Sequence, residues 1–243
     1  MNKLYQHILD SISRSEKLLA VLIDPDKMQV ERVSGFIAMV NQSIATHVFV
    51  GGSEVQEGLT ETLVVEIKKH TKLPVILFPG DVIQVTDKAD AILFLSLISG
   101  RNSEYLIGKH VEAVSKLKTT NLEVLPTGYM LIENGRQTSV ERISQTKPIK
   151  RKSVKTITHT AKAGELLGMK LIYLEAGSGA THPIEAEIIH QVKQELRIPL
   201  IVGGGIRSKK ELYLAFNAGA DLVVIGTVLE ENDDFIVSIS KYR

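Results

Sequence analysis

Eight short apolar runs, each closing on glycine or a small polar residue, constrain what this chain can fold into more than any other feature. They lie at 18–23 (LLAVLI), 47–50 (HVFV), 74–78 (PVILF), 91–97 (AILFLSL), 122–127 (LEVLPT), 170–175 (KLIYLE), 199–202 (PLIV) and 221–225 (DLVVI). The runs are apolar throughout rather than alternating. A strand reads that way when both of its faces are covered, as in a parallel sheet wrapped by helices. Amphipathic stretches separate several of them, at 30–41, 60–71, 184–197 and 209–219. Repeated strand–helix alternation predicts an α/β chain folded as a modified (β/α)8 TIM barrel, with residues 1–243 forming one domain. The interval between 74–78 and 91–97 is too short for a full helix, so the third helix is expected to be missing or reduced. A doubly wound open sheet is the structural alternative.

In such a barrel the chemistry sits at the C-terminal ends of the strands. Those ends are unusual here: Asp24-Pro25-Asp26, Gly51-Gly52-Ser53, Pro79-Gly80-Asp81, Thr127-Gly128-Tyr129, Glu175-Ala176-Gly177-Ser178-Gly179, Gly203-Gly204-Gly205 and Gly226-Thr227. The opposite ends, such as Lys72-Leu73-Pro74 and Arg197-Ile198-Pro199, are plain helix-to-strand turns. Glycines after strands seven and eight free backbone N–H groups to face an anion, and a helix N-terminus adds a favourable dipole. Either pair alone equally makes a tight turn; both together, at the last two strands, point to a phosphorylated ligand. Gly177, Ser178 and Gly179 follow strand six, beside that site, and let backbone approach the ligand. Glu175 stands at the mouth, where a carboxylate in an apolar wall has a raised pKa suited to a general base. The alternative for Glu175 is an ion pair with a neighbouring Lys or Arg.

Asp24 ends the first strand, where a carboxylate suits Mg²⁺ shared with substrate phosphates. Asp26 suits a helix cap. Ser53, at the end of strand two, is either a second metal contact or a turn residue. His159, His182 and His190 show no metal spacing, although His182-Pro183 adjoins the phosphate site. The basic stretch 146–155 reads as a solvated loop or as a contact for anionic lipid or diphosphate. The run 91–100 with Tyr105, Leu106 and Ile107 is a candidate wall for an apolar tail, and equally ordinary core.

Formal net charge is +1 and tryptophan is absent, so there is neither the basic field nor the stacking platform of a nucleic-acid binder. With no cysteine, disulfides and thiolate metal sites are excluded. The polar opening residues are not expected to act as a signal peptide, and no run approaches the roughly 20 residues that span a bilayer. A cytoplasmic location is expected.

The runs LIDPDK, VGGS, ILFPG, AILFLSLISGRNSEYLIG, PTGYMLI, AGELLGMKLIYLEAGSGA, PLIVGGGIR and AGADLVVIGT resemble the geranylgeranylglyceryl phosphate synthases, whose bacterial relatives include heptaprenylglyceryl phosphate synthase. The resemblance covers nearly the whole chain. It implies a Mg²⁺-dependent prenyltransferase joining the 3-hydroxyl of sn-glycerol 1-phosphate to C1 of a polyprenyl diphosphate, geranylgeranyl first, with release of diphosphate. Carried over by position, Asp24 and Ser53 contact the metal. Tyr173, Leu174, Glu175, Ala176, Gly177, Ser178, Gly179, Gly204, Gly205, Gly226 and Thr227 form the glycerol-phosphate site, and Glu175 activates the hydroxyl. The resemblance also implies a homo-oligomer, a dimer or a hexamer built from dimers, and peripheral contact with a membrane for a lipid substrate and product. In a bacterial branch a Lys stands two residues before the metal Asp; this chain has Leu22, as in the other branch. Asp81 is a negative group where a neutral one is expected near a diphosphate, unless Mg²⁺ or a Lys offsets it. The rival readings are a different phosphate-binding barrel enzyme, such as a sugar-phosphate isomerase or aldolase, and a catalytically silent scaffold.

Overall fold

Successive side chains along a strand point to opposite faces. In the first strand Leu18, Ala20 and Leu22 pack into one apolar cluster, while Leu19, Val21 and Ile23 pack into another. The same division runs through the other strands. One cluster fills the inside of a barrel and the other lies between the barrel and its helices, which is why the runs carry no polar alternation. The computed structural model describes residues 3–231 and 234–240.

The strands are β1 (Leu18–Ile23), β2 (His47–Val50), β3 (Val75–Leu77), β4 (Ala91–Leu97), β5 (Glu123–Leu131), β6 (Leu171–Glu175), β7 (Leu200–Gly203) and β8 (Leu222–Ile225). They form a closed barrel in sequence order, each neighbour pair parallel, with β1 pairing β8. Closure excludes the open doubly wound sheet. Around it run α2 (Val30–Gln42), α3 (Leu59–His70), α4 (Lys109–Leu117), α6 (Val154–Leu166), α7 (Ala186–Glu195) and α8 (Lys209–Ala218), with short helices α5 (Ser139–Ser144), α9 (Thr227–Glu231) and α10 (Asp234–Ser238). After β3 only a single 3-10 turn, Val82–Gln84, stands in place of a helix, as the short interval requires. No helix among the described residues is long and apolar enough to cross a membrane.

Two departures from the expected layout matter. The fifth strand does not end at residue 127 but continues to Leu131. Gly128 therefore sits inside a strand. Its role is close packing: methyl carbons built at Gly128 and at Gly164 of α6 would each lie 2.8 Å from the ends of Ile98 and Ile172. Tyr129 accordingly belongs to the barrel interior rather than to a turn.

Residues 3–13, read above only as polar, form α1 (Lys3–Ser13), which closes the N-terminal end of the barrel. Leu4, Tyr5, Ile8 and Ile12 pack on the interior cluster, an i, i+4, i+8 stripe with one neighbour. The first helical amides have no partner within the helix. Glu123, at the start of β5, supplies one: its carboxylate accepts from Leu4 N at 2.7 Å and Tyr5 N at 2.9 Å. Glu123→Ala is expected to destabilise the fold by about 1–2 kcal/mol, since hydrogen bonds to a charged group are worth about 1.5–3 kcal/mol and this one is partly exposed. Urea unfolding checks it; an unchanged midpoint would show that α1 is held by its apolar face alone.

Candidate active site

Every unusual strand end faces one cavity of about 430 Å³ at the C-terminal mouth of the barrel, with Asp24, Gly52, Ser53, Tyr173, Glu175, Ser178, Gly179, Gly204, Gly205, Gly226 and Thr227 on its wall. Leu174 and Ala176 are fully buried and pack in the outer cluster instead, so they position the site without lining it.

Glu175 ends β6 and is only 5 % exposed. Gly177 N donates to its Oε1 at 2.6 Å. No cation pairs with it among the described residues, which removes the ion-pair alternative. Burial pushes its pKa up to about 7, against the opposing pull of the Gly177 amide and the nearby Tyr173 hydroxyl. That hydroxyl is buried and lies near the carboxylate without a hydrogen bond of good geometry. Burial first, and then the Glu175 charge, hold the Tyr129 and Tyr173 phenols well above their ordinary range. Beneath the carboxylate the rings form a floor, with Phe78 stacked on Tyr173 at 5.4 Å and Tyr129 edge-on to Tyr173 at 5.3 Å.

Gly204 and Gly205 both have positive φ, +82° and +73°, a region that side-chain-bearing residues avoid. A methyl at Gly204 would overlap Glu175 Oε1 and lie 2.7 Å from Gly177 N, so the acid and the glycine turn are built against each other. From the other side Gly179 N donates to Thr227 Oγ1 at 3.3 Å, joining the loops after β6 and β8. Leu22 packs on Gly226, where a methyl would meet its Cβ at 3.3 Å; the position that carries a Lys elsewhere is here an apolar support. His182 meets Gly205 through its backbone, and its side chain is exposed.

Asp24 lies over Gly52, with its Oδ1 2.8 Å from where a Cβ would stand. It accepts from Asp26 N at 3.1 Å and lies 3.6 Å from Lys27 Nζ. Ser53 is next along the same wall, and its hydroxyl enters no hydrogen bond among the described residues. Among the described residues, no group of three or more His, Asp or Glu side chains there is arranged to hold an ion by itself. This donor set fits Mg²⁺, which commonly takes one or two carboxylates and completes its shell with water and substrate phosphate.

Asp81 has its offsetting cation. Lys109 Nζ, from α4, lies 2.8 Å from Asp81 Oδ2. Burial pushes the Asp81 carboxyl up, but the Lys109 ammonium and the Ile83 amide together hold it below its ordinary range. Beyond this pair the cavity runs on where the missing helix would stand, past Val82, Val85, Phe94, Leu95, Tyr105 and Ala113. Leu106 packs on the core and Ile107 faces out, so of the three expected wall residues only Tyr105 lines the groove.

None of residues 146–155 lines this cavity. The basic stretch is instead tied down: Lys147 pairs with Glu141 at 2.8 Å, Arg151 with Glu185 at 3.1 Å, and Ile149 bridges Ile132. Sequence reasoning missed the loop after β5 and α5. Val140 and Ile143 of α5 line the mouth, and Arg142 pairs with Glu54 across it. Asn134 Nδ2 donates to Ala176 O. Asn134 and Thr138 are both buried, which a linear pattern does not reveal.

A family model described as the PcrB family matches residues 11–242. The geranylgeranylglyceryl phosphate synthase of Flavobacterium johnsoniae is 51% identical over 238 residues, 98% of each chain. That of Thermococcus kodakarensis is 40% identical over 233 residues, 95% of this chain and 91% of its own. Among solved structures, (S)-3-O-geranylgeranylglyceryl phosphate synthase from Thermoplasma acidophilum, in complex with its substrate sn-glycerol-1-phosphate, superposes with a TM-score of 0.91 at 31% identity, covering 99% of this chain and 100% of that one.

Proposed function

The chain belongs to the PcrB family, and from that premise we infer that it is a prenyltransferase acting on sn-glycerol 1-phosphate, with geranylgeranyl diphosphate as the allylic partner. The observation that carries the reading is the pairing of Glu175 with the glycine turn at Gly204: an unpaired, buried acid directly beside backbone suited to a phosphate.

The proposed reaction exchanges one carbon–oxygen bond for another and moves one proton. The 3-hydroxyl oxygen attacks C1 of the prenyl chain, the C1–oxygen bond to diphosphate breaks, and the hydroxyl proton passes to Glu175. The glycine turns after β7 and β8, with Ser178, Gly179 and Thr227, hold the phosphate so that the hydroxyl is presented in line. The groove left by the absent helix takes the hydrocarbon tail. Asp24 and Ser53 are the residues that would hold Mg²⁺, which when bound neutralises charge on the departing diphosphate. In a homo-oligomer, dimer or hexamer, the exposed apolar face of Ile107, Val111 and Val114 supports contact at the groove's edge, with peripheral membrane contact for the lipid product.

An imine-forming aldolase is disfavoured because, among the described residues, the lysines on the cavity wall are Lys27 and Lys109, each beside an acid, and the hydrogen bond to Asp81 raises the Lys109 pKa further. Incubating the protein with Mg²⁺, labelled sn-glycerol 1-phosphate and geranylgeranyl diphosphate is expected to move label into an organic phase, and EDTA to suppress the transfer. Label that stays aqueous with every prenyl length tried would sink the reading; transfer undiminished by EDTA would remove only the metal.

A further inference from the structure

We propose that Arg136 supplies side-chain positive charge to the phosphate of the glycerol substrate, from behind the loop that grips it. This rests on the functional reading above and names a residue that neither the strand-end pattern nor the family resemblance marks.

The loop following β5 lies over the loop following β6. Asn134 Nδ2 donates to Ala176 O, Arg136 N donates to Asn134 Oδ1 at 3.2 Å, and a methyl at Gly177 would lie 3.0 Å from Thr138 Cβ. These contacts place the Arg136 backbone, and its exposed side chain reaches Gly179: a methyl there would stand 2.8 Å from its Nη2 and 3.5 Å from its Cζ. The guanidinium thus abuts Gly179, whose other side lines the cavity. Most cations around this mouth are already matched with acids: Lys27 with Asp24, Lys109 with Asp81 and Arg142 with Glu54. Arg136 has no ion pair among the described residues. An unmatched guanidinium beside one glycine of the loop proposed to hold phosphate lowers the cost of bringing a dianion there. Its field also draws that anion in from solution.

The glycine explains why the charge acts from behind. Gly179 has φ +65°, a conformation that L side chains rarely adopt, and with no Cβ it leaves the guanidinium at that distance undisplaced. Acting through its field rather than through the reacting atoms, Arg136 is a positioning residue. Its loss should therefore weaken binding of one substrate and spare the chemical step.

The test compares wild type, Arg136→Gln and Arg136→Lys by calorimetric binding of sn-glycerol 1-phosphate and by steady-state kinetics. Gln is expected to raise both Kd and KM for sn-glycerol 1-phosphate about fivefold to tenfold, to leave kcat and the KM for prenyl diphosphate within about twofold, and to flatten the loss of affinity with added salt. Lys, which keeps the charge, is expected to restore most of the affinity and the salt dependence. If Gln binds as wild type does, or if Lys is as weak as Gln, Arg136 has no such role. If wild type itself does not bind sn-glycerol 1-phosphate, the functional reading falls, and this inference with it.

Discussion

Glu175→Gln is expected to lower kcat by about 10²–10⁴, the range that a positioned general base contributes, while sn-glycerol 1-phosphate still binds. Gln keeps the shape and can accept the Gly177 N–H bond, but it takes up no proton. The pH dependence follows from the raised pKa of about 7. The base works only when ionised, so wild-type kcat/KM should climb as pH rises through 7 and level off above it. Stability should run the other way. A carboxyl whose folded pKa lies above its unfolded value adds stability that is complete below about 4.5 and is lost as pH rises through 7. The difference amounts to something on the order of 3 kcal/mol. Above pH 7 the Gln variant should therefore melt higher than wild type while being nearly inactive. Full turnover in the variant, or a melting point that stays level with wild type from pH 5 to about 8, would take the base role away from Glu175.

The second large effect is at Gly204. Gly204→Ala places a methyl onto Glu175 Oε1 and against Gly177 N, and it does so at a backbone angle that alanine occupies only under strain. The cost to the fold is about 1–2 kcal/mol from conformation alone. Turnover should fall by at least about 10², because a displacement of about 1 Å at the reacting groups is enough for that. Unlike Glu175→Gln, this change should also weaken sn-glycerol 1-phosphate binding, since the turn and the acid move together. Kinetics and calorimetry on the two variants separate the roles: chemistry without affinity for one, both for the other. Gly204→Ala with wild-type activity would mean that the turn does not hold the phosphate.

Seven of the eight strands lie where the apolar runs put them, and the helix missing after β3 was legible from an interval of sequence. These are local properties: a run, a spacing, a glycine. The end of β5 was not, because Gly128 looks like a turn until α6 is known to cross it at Gly164. The same limit hid the balancing of Asp81 by Lys109, the clasp of Arg142 on Glu54 and the seat of Arg136 at Gly179. Each joins residues from different loops, and nothing in a linear pattern says which loops meet. Glu175 was legible as a position at a strand end. Its lack of a cation partner among the described residues was not, since that depends on every neighbour at once.

A barrel ringed by helices on all sides can admit only what fits down its mouth. This one has a bare flank between β3 and β4, where a single turn replaces the outer helix. On the proposed function, the small polar reactant would be seated deep and measured by shape, while a hydrocarbon would lie along the open side. Selection for chain length then depends on how far that lateral channel runs before something blocks it. Such a channel can be lengthened or blocked without touching the residues at the centre.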